Sequence, residues 1–238
     1  MSSNNSIAFI WDFDGVIVFT PHYEAWSITC RDYGIEGFTR EFYDAYVSGR
    51  PRLEGGRIIL EKLGAFGKVS PDKREALLRE FTEYKNKVFH RLVKEGRYEV
   101  NWDVVLFILR AKSMGILQVL ASASRNAKWI VENTVLEPGI RLSSLFDVNV
   151  SGIGLSKDEV FSRALKAISR ISGVVVKDCI VVFEDSLSGI IAAKKLGLKT
   201  VGYRLVKYSS GKIHPDIVLD SLREVNPISL VKSLGCKI

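Results

Sequence analysis

The apolar positions of this chain change their period twice. A short run from Ile7 to Trp11 reads as a buried strand, and it ends in Asp12, Asp14 and Gly15. From Thr20 to about Val100 the spacing turns helical, in EFYDAYV, GRIILEKLG and the long stretch KREALLREFTEYKNKVFHRLVKEG, with no strand-like run between. From Trp102 the two periods alternate. The pattern predicts a helix in WDVVLFILRAKSMG, a strand in ILQVLAS, a helix in NAKWIVENTVL, a strand in FDVNVS and a helix in KDEVFSRALKAIS. A strand in CIVVFED, a helix in SGIIAAKKLG and strands in KTVGY and DIVLDS follow. Strands alternating with helices form parallel β-α-β units with right-handed crossovers. The expected fold is therefore α/β, with a doubly wound, parallel-sheet, Rossmann-like core from residues 1–19 and 101–238. An all-helical cap domain, residues 20–100, is inserted directly after the first polar turn. An insertion entered there is expected to emerge at the carboxyl mouth of the sheet and to act as a lid.

With 238 residues and 47% hydrophobic content, the chain can bury one large core or two smaller ones. No apolar segment approaches the roughly 20 residues needed to cross a bilayer, and MSSNNS lacks the basic and apolar regions of a signal peptide. A cytoplasmic protein with no membrane partner is expected. Cys30, Cys179 and Cys236 are odd in number, widely spaced and free of any C-x-x-C. They read as small apolar fillers or surface thiols, not as a disulfide framework or a metal site. The formal charge of +7 favours anionic ligands, but the basic residues are scattered, and runs such as Lys194-Lys195 lie on segments with an apolar opposite face. Solvated helix faces, without a nucleic-acid partner, are the better reading.

Four polar clusters terminate predicted core strands. Asp12, Asp14 and Gly15 end the first, although D-x-D-G alone also suits a plain turn. Ser122-Ala123-Ser124-Arg125-Asn126 follows ILQVLA and opens a helix, presenting hydroxyls and backbone amides to an anion. The same residues are also good N-caps. Lys157 follows FDVNVSGIGLS just ahead of a helix, where a lone lysine is ordinarily exposed and inert. Glu184 and Asp185 follow CIVVF, and acids in a first helical turn also suit the helix dipole. The combination is more telling than any single cluster, because the strand ends of a doubly wound sheet converge on one crevice. Carboxylates about 4 Å apart at an effective dielectric near 20 repel by about 4 kcal/mol per pair. A cation is required. All-oxygen ligands, three histidines in the whole chain and no cysteine cluster point to Mg2+. The G-I-G at residues 152–154 is too short to argue a dinucleotide site.

The set resembles the haloacid dehalogenase-like hydrolases, with DFDGV as first motif, Ser122 as second, Lys157 as third and FEDSLSGIIAAKKLG as fourth. The helical insertion after the first motif is similar to the helical-cap subclass, and LASASRN and FEDSLSG to its β-phosphoglucomutase and phosphoglycolate phosphatase-type members. The resemblance implies that Asp12 is the nucleophile on a phosphate monoester, forming an aspartyl-phosphate, and that Asp14 is the general acid and base. It implies that Ser122 and the amide of Ala123 hold phosphoryl oxygens and that Lys157 offsets charge on phosphate and Asp12. It further implies Mg2+ bound by Asp185, Glu184, the Asp12 carboxylate and the Asp14 carbonyl. Asp14 favours phosphoryl transfer over carbon-halogen cleavage, since true dehalogenases lack an aspartate there.

The chain departs from that pattern at Phe19, where an acidic residue is frequent, and at Asp158, where proline is usual. It departs also at the second linker Tyr98-Glu99-Val100-Asn101-Trp102, which lacks Pro-Gly, and at Glu24, where the mutase carries a histidine. In the insertion, SGRPRLEGG supplies Gly49, Arg50 and Arg52, similar to the mutase loop that holds a distal phosphate. Two surface arginines in a loop are the equal alternative. The expected activity is a Mg2+-dependent phosphatase on a small phosphorylated metabolite. A phosphosugar mutase is the alternative, and a non-enzymatic binding protein stands third. Monomer and homodimer are both compatible with the sequence.

Overall fold

The computed structural model describes residues 7–48, 50–152, 156–173, 177–205 and 214–237. Gly49, one of the expected ligand-loop residues, lies outside the described residues. In chain order, β1 (Ala8–Trp11) is followed by the two-residue β2 (Val18–Phe19) and by helices α1 (His22–Asp32), α2 (Arg40–Tyr46), α3 (Arg52–Lys62) and α4 (Arg74–Lys94). Then come β3 (Glu99–Val100), α5 (Trp102–Ser113), β4 (Leu117–Leu120), α6 (Arg125–Asn133), β5 (Val135–Glu137), β6 (Ile140–Arg141), β7 (Val148–Asn149) and α7 (Lys157–Ser172). The chain continues with β8 (Ile180–Glu184), α8 (Leu187–Lys195), β9 (Lys199–Tyr203), β10 (Ile217–Leu219) and α9 (Pro227–Ser233).

Contacts divide the chain into one unit of residues 1–19 and 99–238 and another of residues 20–98. Glu99 and Val100 join the first because they pair antiparallel with Phe19 and Val18. That unit is the expected α/β core. Its sheet runs β10-β9-β8-β1-β4-β7, and every pairing in it is parallel. The two central strands are apolar at nearly every position, as a sheet covered on both faces requires. Trp11 stacks on Phe183 at 4.0 Å, and its indole nitrogen donates to Gln118 Oε1 at 2.8 Å, so the one buried amide side chain beside it is satisfied.

Register decides where the chemistry falls. Trp11 pairs with Leu120 on one side and with Phe183 on the other, so Asp12, Ala121 and Glu184 come next at one level, Glu184 as the last residue of β8 and still paired with Gly202.

The helical unit packs Trp26, Ile59, Leu60, Leu78 and Phe81 into its own core. Lys85 is buried in it, with Nζ 2.8 Å from His22 Nδ1 and 4.8 Å from the centre of the Phe89 ring. Burial and the Lys85 charge hold the His22 imidazole well below its usual pKa.

Two sequence expectations are corrected. The helix expected through Leu136 stops at Asn133, where Thr134 turns its hydroxyl onto the Ile130 carbonyl at 2.7 Å, and Val135–Glu137 pairs with Ile140–Arg141 across the Pro138-Gly139 turn. Cys179 and Cys236 are disulfide-bonded, with Cα atoms 4.8 Å apart. The two lie 57 residues apart, a spacing from which no pairing can be read, and the fold brings the segment after α9 against the start of β8. Cys30 is the buried apolar filler expected. No helix among the described residues is long and apolar enough to cross a membrane.

Candidate active site

Asp12 follows β1 and is 3% exposed, with its amide donating to the Phe183 carbonyl at 3.0 Å. The neighbouring strand delivers Glu184, fully buried, as its last residue. Lys157, the first residue of α7, reaches both: its ammonium is 2.5 Å from Asp12 Oδ1 and also pairs with Glu184 Oε1. Its N-cap, Ser156, accepts from the Glu159 amide, which fixes the helix start from which the lysine projects. The other oxygen of Glu184 accepts from the amide and hydroxyl of Ser186, the N-cap of α8, at 3.0 and 2.8 Å.

Asp185 completes the cluster. One carboxylate oxygen from each of Asp12, Glu184 and Asp185 falls within 4.8 Å of the others. Gly15 makes this approach possible: with φ at +82°, a Cβ there would sit 1.9 Å from Asp185 Oδ2. Asp14 lies in the same turn, its backbone bridged to Val18.

The electrostatics follow from crowding. Burial would depress Lys157, but Asp12 and Glu184 outweigh it and push its pKa upward. Burial, then the Asp12 charge, raises Glu184 against the opposing pull of Lys157 and Ser186. Burial, then Glu184, Asp12 and Asp14, hold Asp185 well above the usual carboxylate range. One lysine thus serves a cluster of three acids. The donor set, oxygens alone with a surplus of negative charge, fits a hard divalent cation.

On the far side of β1, Ser122 follows β4 and is 2% exposed. Its hydroxyl accepts from the Ser124 amide at 3.2 Å, and its own amide donates to Ser151 Oγ at 3.1 Å. Ala123 sits between them, half-buried against the core. Ser151, at the end of β7, was not singled out in the sequence; its place after FDVNV, level with the other strand ends, is the signal that marks it.

The remaining expected residues belong to the helical unit. Arg50 pairs with Glu54 one turn along, and Arg52, at the start of α3, pairs with Glu83 on α4 at 2.7 Å. Glu24 pairs with Arg97 at 2.8 Å. Lys85 was also missed, yet it falls in register with Leu78, Phe81, Val88 and Leu92 on the apolar stripe of α4, and a lysine inside such a stripe is legible.

An all-parallel sheet whose carboxyl mouth carries a lysine-bridged cluster of carboxylates, with Ser122 at the neighbouring strand end, defines an α/β protein with an acidic site suited to a cation. Residues 8–197 match the model of the haloacid dehalogenase-like hydrolases, and the chain belongs to that family. Over 234 residues, covering 92% of this chain and 99% of the relative, it is 28% identical to a phosphorylated carbohydrates phosphatase of Thermotoga maritima. The crystal structure of an archaeal β-phosphoglucomutase from Pyrococcus sp. strain ST 04 is 38% identical, with a TM-score of 0.83 over 96% of this chain and 99% of that one. A β-phosphoglucomutase structure from Clostridium difficile shares the fold at 24% identity and a TM-score of 0.71, covering 96% and 97% of the two chains.

Proposed function

We propose that the protein is a Mg2+-dependent phosphatase acting on a small phosphorylated carbohydrate or related metabolite. The observation that carries this reading is the pairing of Lys157 with buried Asp12 at 2.5 Å, since it sets a cation against that carboxylate and aims it within a cluster of acids. Asp12 attacks the phosphorus of a monoester, and the ester oxygen leaves with the proton of Asp14. The aspartyl-phosphate is then opened by a water that gives its proton back to Asp14. Ser122 and the Ala123 amide hold the phosphoryl oxygens, and Lys157 balances the charge that accumulates on them. Asp12, Asp185, Glu184 and the Asp14 carbonyl would hold the metal, which when bound supplies positive charge to the transferring phosphoryl group. Arg50 and Arg52 are candidates for a distal anionic group of the substrate, released from Glu54 and Glu83 when one binds.

The 38% identity to a β-phosphoglucomutase favours a second reading, in which a sugar hydroxyl replaces water as acceptor. Two residues argue for water: Phe19 stands where an acid is frequent, and Glu24, in the place of the mutase histidine, is bound to Arg97. Purified protein with Mg2+ should release inorganic phosphate from a panel of sugar phosphates. Asp12→Asn should abolish the release with the fold intact, and more than a few per cent of residual activity would end the covalent mechanism. β-Glucose 1-phosphate with a trace of the bisphosphate separates the readings, because accumulation of glucose 6-phosphate would make the protein a mutase.

A further inference from the structure

The turn from Asp14 to Phe19 is short: Val16, Ile17 and Val18 are fully buried, and Val18 and Phe19 pair with Val100 and Glu99. The amides of Ile17 and Val18 converge on the Phe13 carbonyl at 2.9 and 3.1 Å, and the Gly15 amide donates to the Val18 carbonyl at 2.9 Å. Two further segments of the core unit reach the turn.

Asn101 is the first. It occupies the N-cap of α5, yet its side chain makes no capping hydrogen bond. Its amide group is used elsewhere: Nδ2 donates to the Val16 carbonyl at 2.8 Å and to the Tyr203 hydroxyl at 3.1 Å, while its backbone amide donates to the Ile17 carbonyl at 2.9 Å. The Tyr203 hydroxyl in turn donates to Asp103 at 3.2 Å, and Tyr203 is fully buried.

Arg204 is the second. Among the described residues it is the only non-glycine with positive φ, at 46°, a conformation that persists only where surroundings impose it. Its guanidinium lies 5.5 Å from the ring centres of both Phe19 and Tyr203, and Nε donates to the Asp220 carbonyl at 3.2 Å. Two departures from the family pattern, the aromatic at Phe19 and the linker that contains Asn101, thus meet in one assembly around Tyr203.

We propose that Asn101, Tyr203 and Arg204 are positioning residues that clamp the Asp14 to Phe19 turn, through the Val16 and Ile17 carbonyls and the Phe19 ring, so that the Asp14 carboxyl is held at one place. None of the three is a catalytic residue. They act through the backbone that carries Asp14, and the inference rests on the acid–base role proposed for that residue.

The test combines hydrogen exchange of the segment 13–19 with turnover of phosphate monoesters whose leaving groups differ in pKa, using the Mg2+-loaded full chain. A poor alkoxide leaving group needs a well-placed acid, and a nitrophenolate does not. Arg204→Ala and Asn101→Ala should speed exchange in 13–19 while β8 stays protected. They should lower kcat about tenfold for alkyl phosphates and about twofold for nitrophenyl phosphate, with KM within about twofold. Arg204→Lys, which keeps a cation over the two rings, should restore most of the loss. Unchanged exchange would overturn the clamp. Faster exchange with equal losses on all esters would overturn the link to Asp14, as would faster exchange throughout the core. Absence of turnover in the wild type would overturn the phosphatase reading and this inference together, whereas wild-type turnover with unaffected variants would overturn this inference alone.

Discussion

The ammonium of Lys157 stands 2.5 Å from Oδ1 of Asp12 and, in the same position, pairs with Glu184, so one cation holds two buried carboxylates that would otherwise face each other. Removing it leaves both acids without their shared counter-charge. Lys157→Met should destabilise the metal-free protein by about 3–5 kcal/mol, the usual consequence of breaking a buried pair from one side. It should also reduce kcat/KM at least about a hundredfold. Denaturant unfolding and steady-state kinetics check the two effects, and a variant of wild-type stability would mean that Asp12 and Glu184 do not share the lysine in solution.

Stability should depend on pH in an unusual sense. Burial and the Asp12 charge raise the Glu184 carboxyl, and burial with the charges of Glu184, Asp12 and Asp14 holds that of Asp185 well above its ordinary range. A group with a raised folded pKa contributes fully below its unfolded pKa, and that contribution is lost as pH rises through the folded value. In chelator, Asp185→Asn should therefore gain in Tm over the wild type as pH climbs above the ordinary carboxylate range. Saturating Mg2+ should remove the difference. A gap that is constant with pH would show that Asp185 is not strained by its neighbours.

Gly15→Ala separates two costs. At φ +82° a side chain is strained by about 1–2 kcal/mol wherever it sits, but here the added methyl also collides with Asp185. Gly139→Ala is the control, since it has φ +81° with nothing within 4 Å of its Cβ. Gly15→Ala should lose at least as much stability as Gly139→Ala, and it alone should raise the Mg2+ concentration for half-activation about tenfold. Equal Mg2+ dependence in the two would place Asp185 away from the metal.

Cys236→Ser should lower stability by about 4 kcal/mol on the chain-entropy account of a 57-residue closure. Turnover at room temperature should be unaffected, because the bond lies at the amino end of β8, opposite the carboxylates. Thermal unfolding with and without reductant provides the measurement, and reductant should have no effect on the variant.

What was legible in the sequence was what repeats or what clusters. The alternating periods after Trp102 yielded the core, and the acids at the ends of β1 and β8 stood out through their combination with the clusters at two other strand ends, since each alone also suits a turn or a helix start. Convergence needed the register, which no pattern along the chain carries. The linker pair β2–β3 is two residues long on each side, too short for any period. Asn101 stood out only as part of a linker without Pro-Gly, and the fold reveals that its amide is engaged by Val16 and Tyr203. Arg50 and Arg52 stood out as free cations in a loop, and the acids that meet them, Glu54 and Glu83, become neighbours through one helical turn and through α3–α4 packing.

The bond between Cys179 and Cys236 also changes what kind of object the polypeptide is. Covalently it is a lariat, a stem running to Cys179 and a ring that contains β8, α8, β9, β10 and α9. The acids of the site are shared between stem and ring, with Asp12 and Asp14 on the stem and Glu184 and Asp185 in the ring. A single peptide cut anywhere in the ring opens it without releasing a fragment, so a nicked molecule would migrate as one species until reductant divides it. Backbone scission there leaves the two pairs of carboxylates on one covalent molecule.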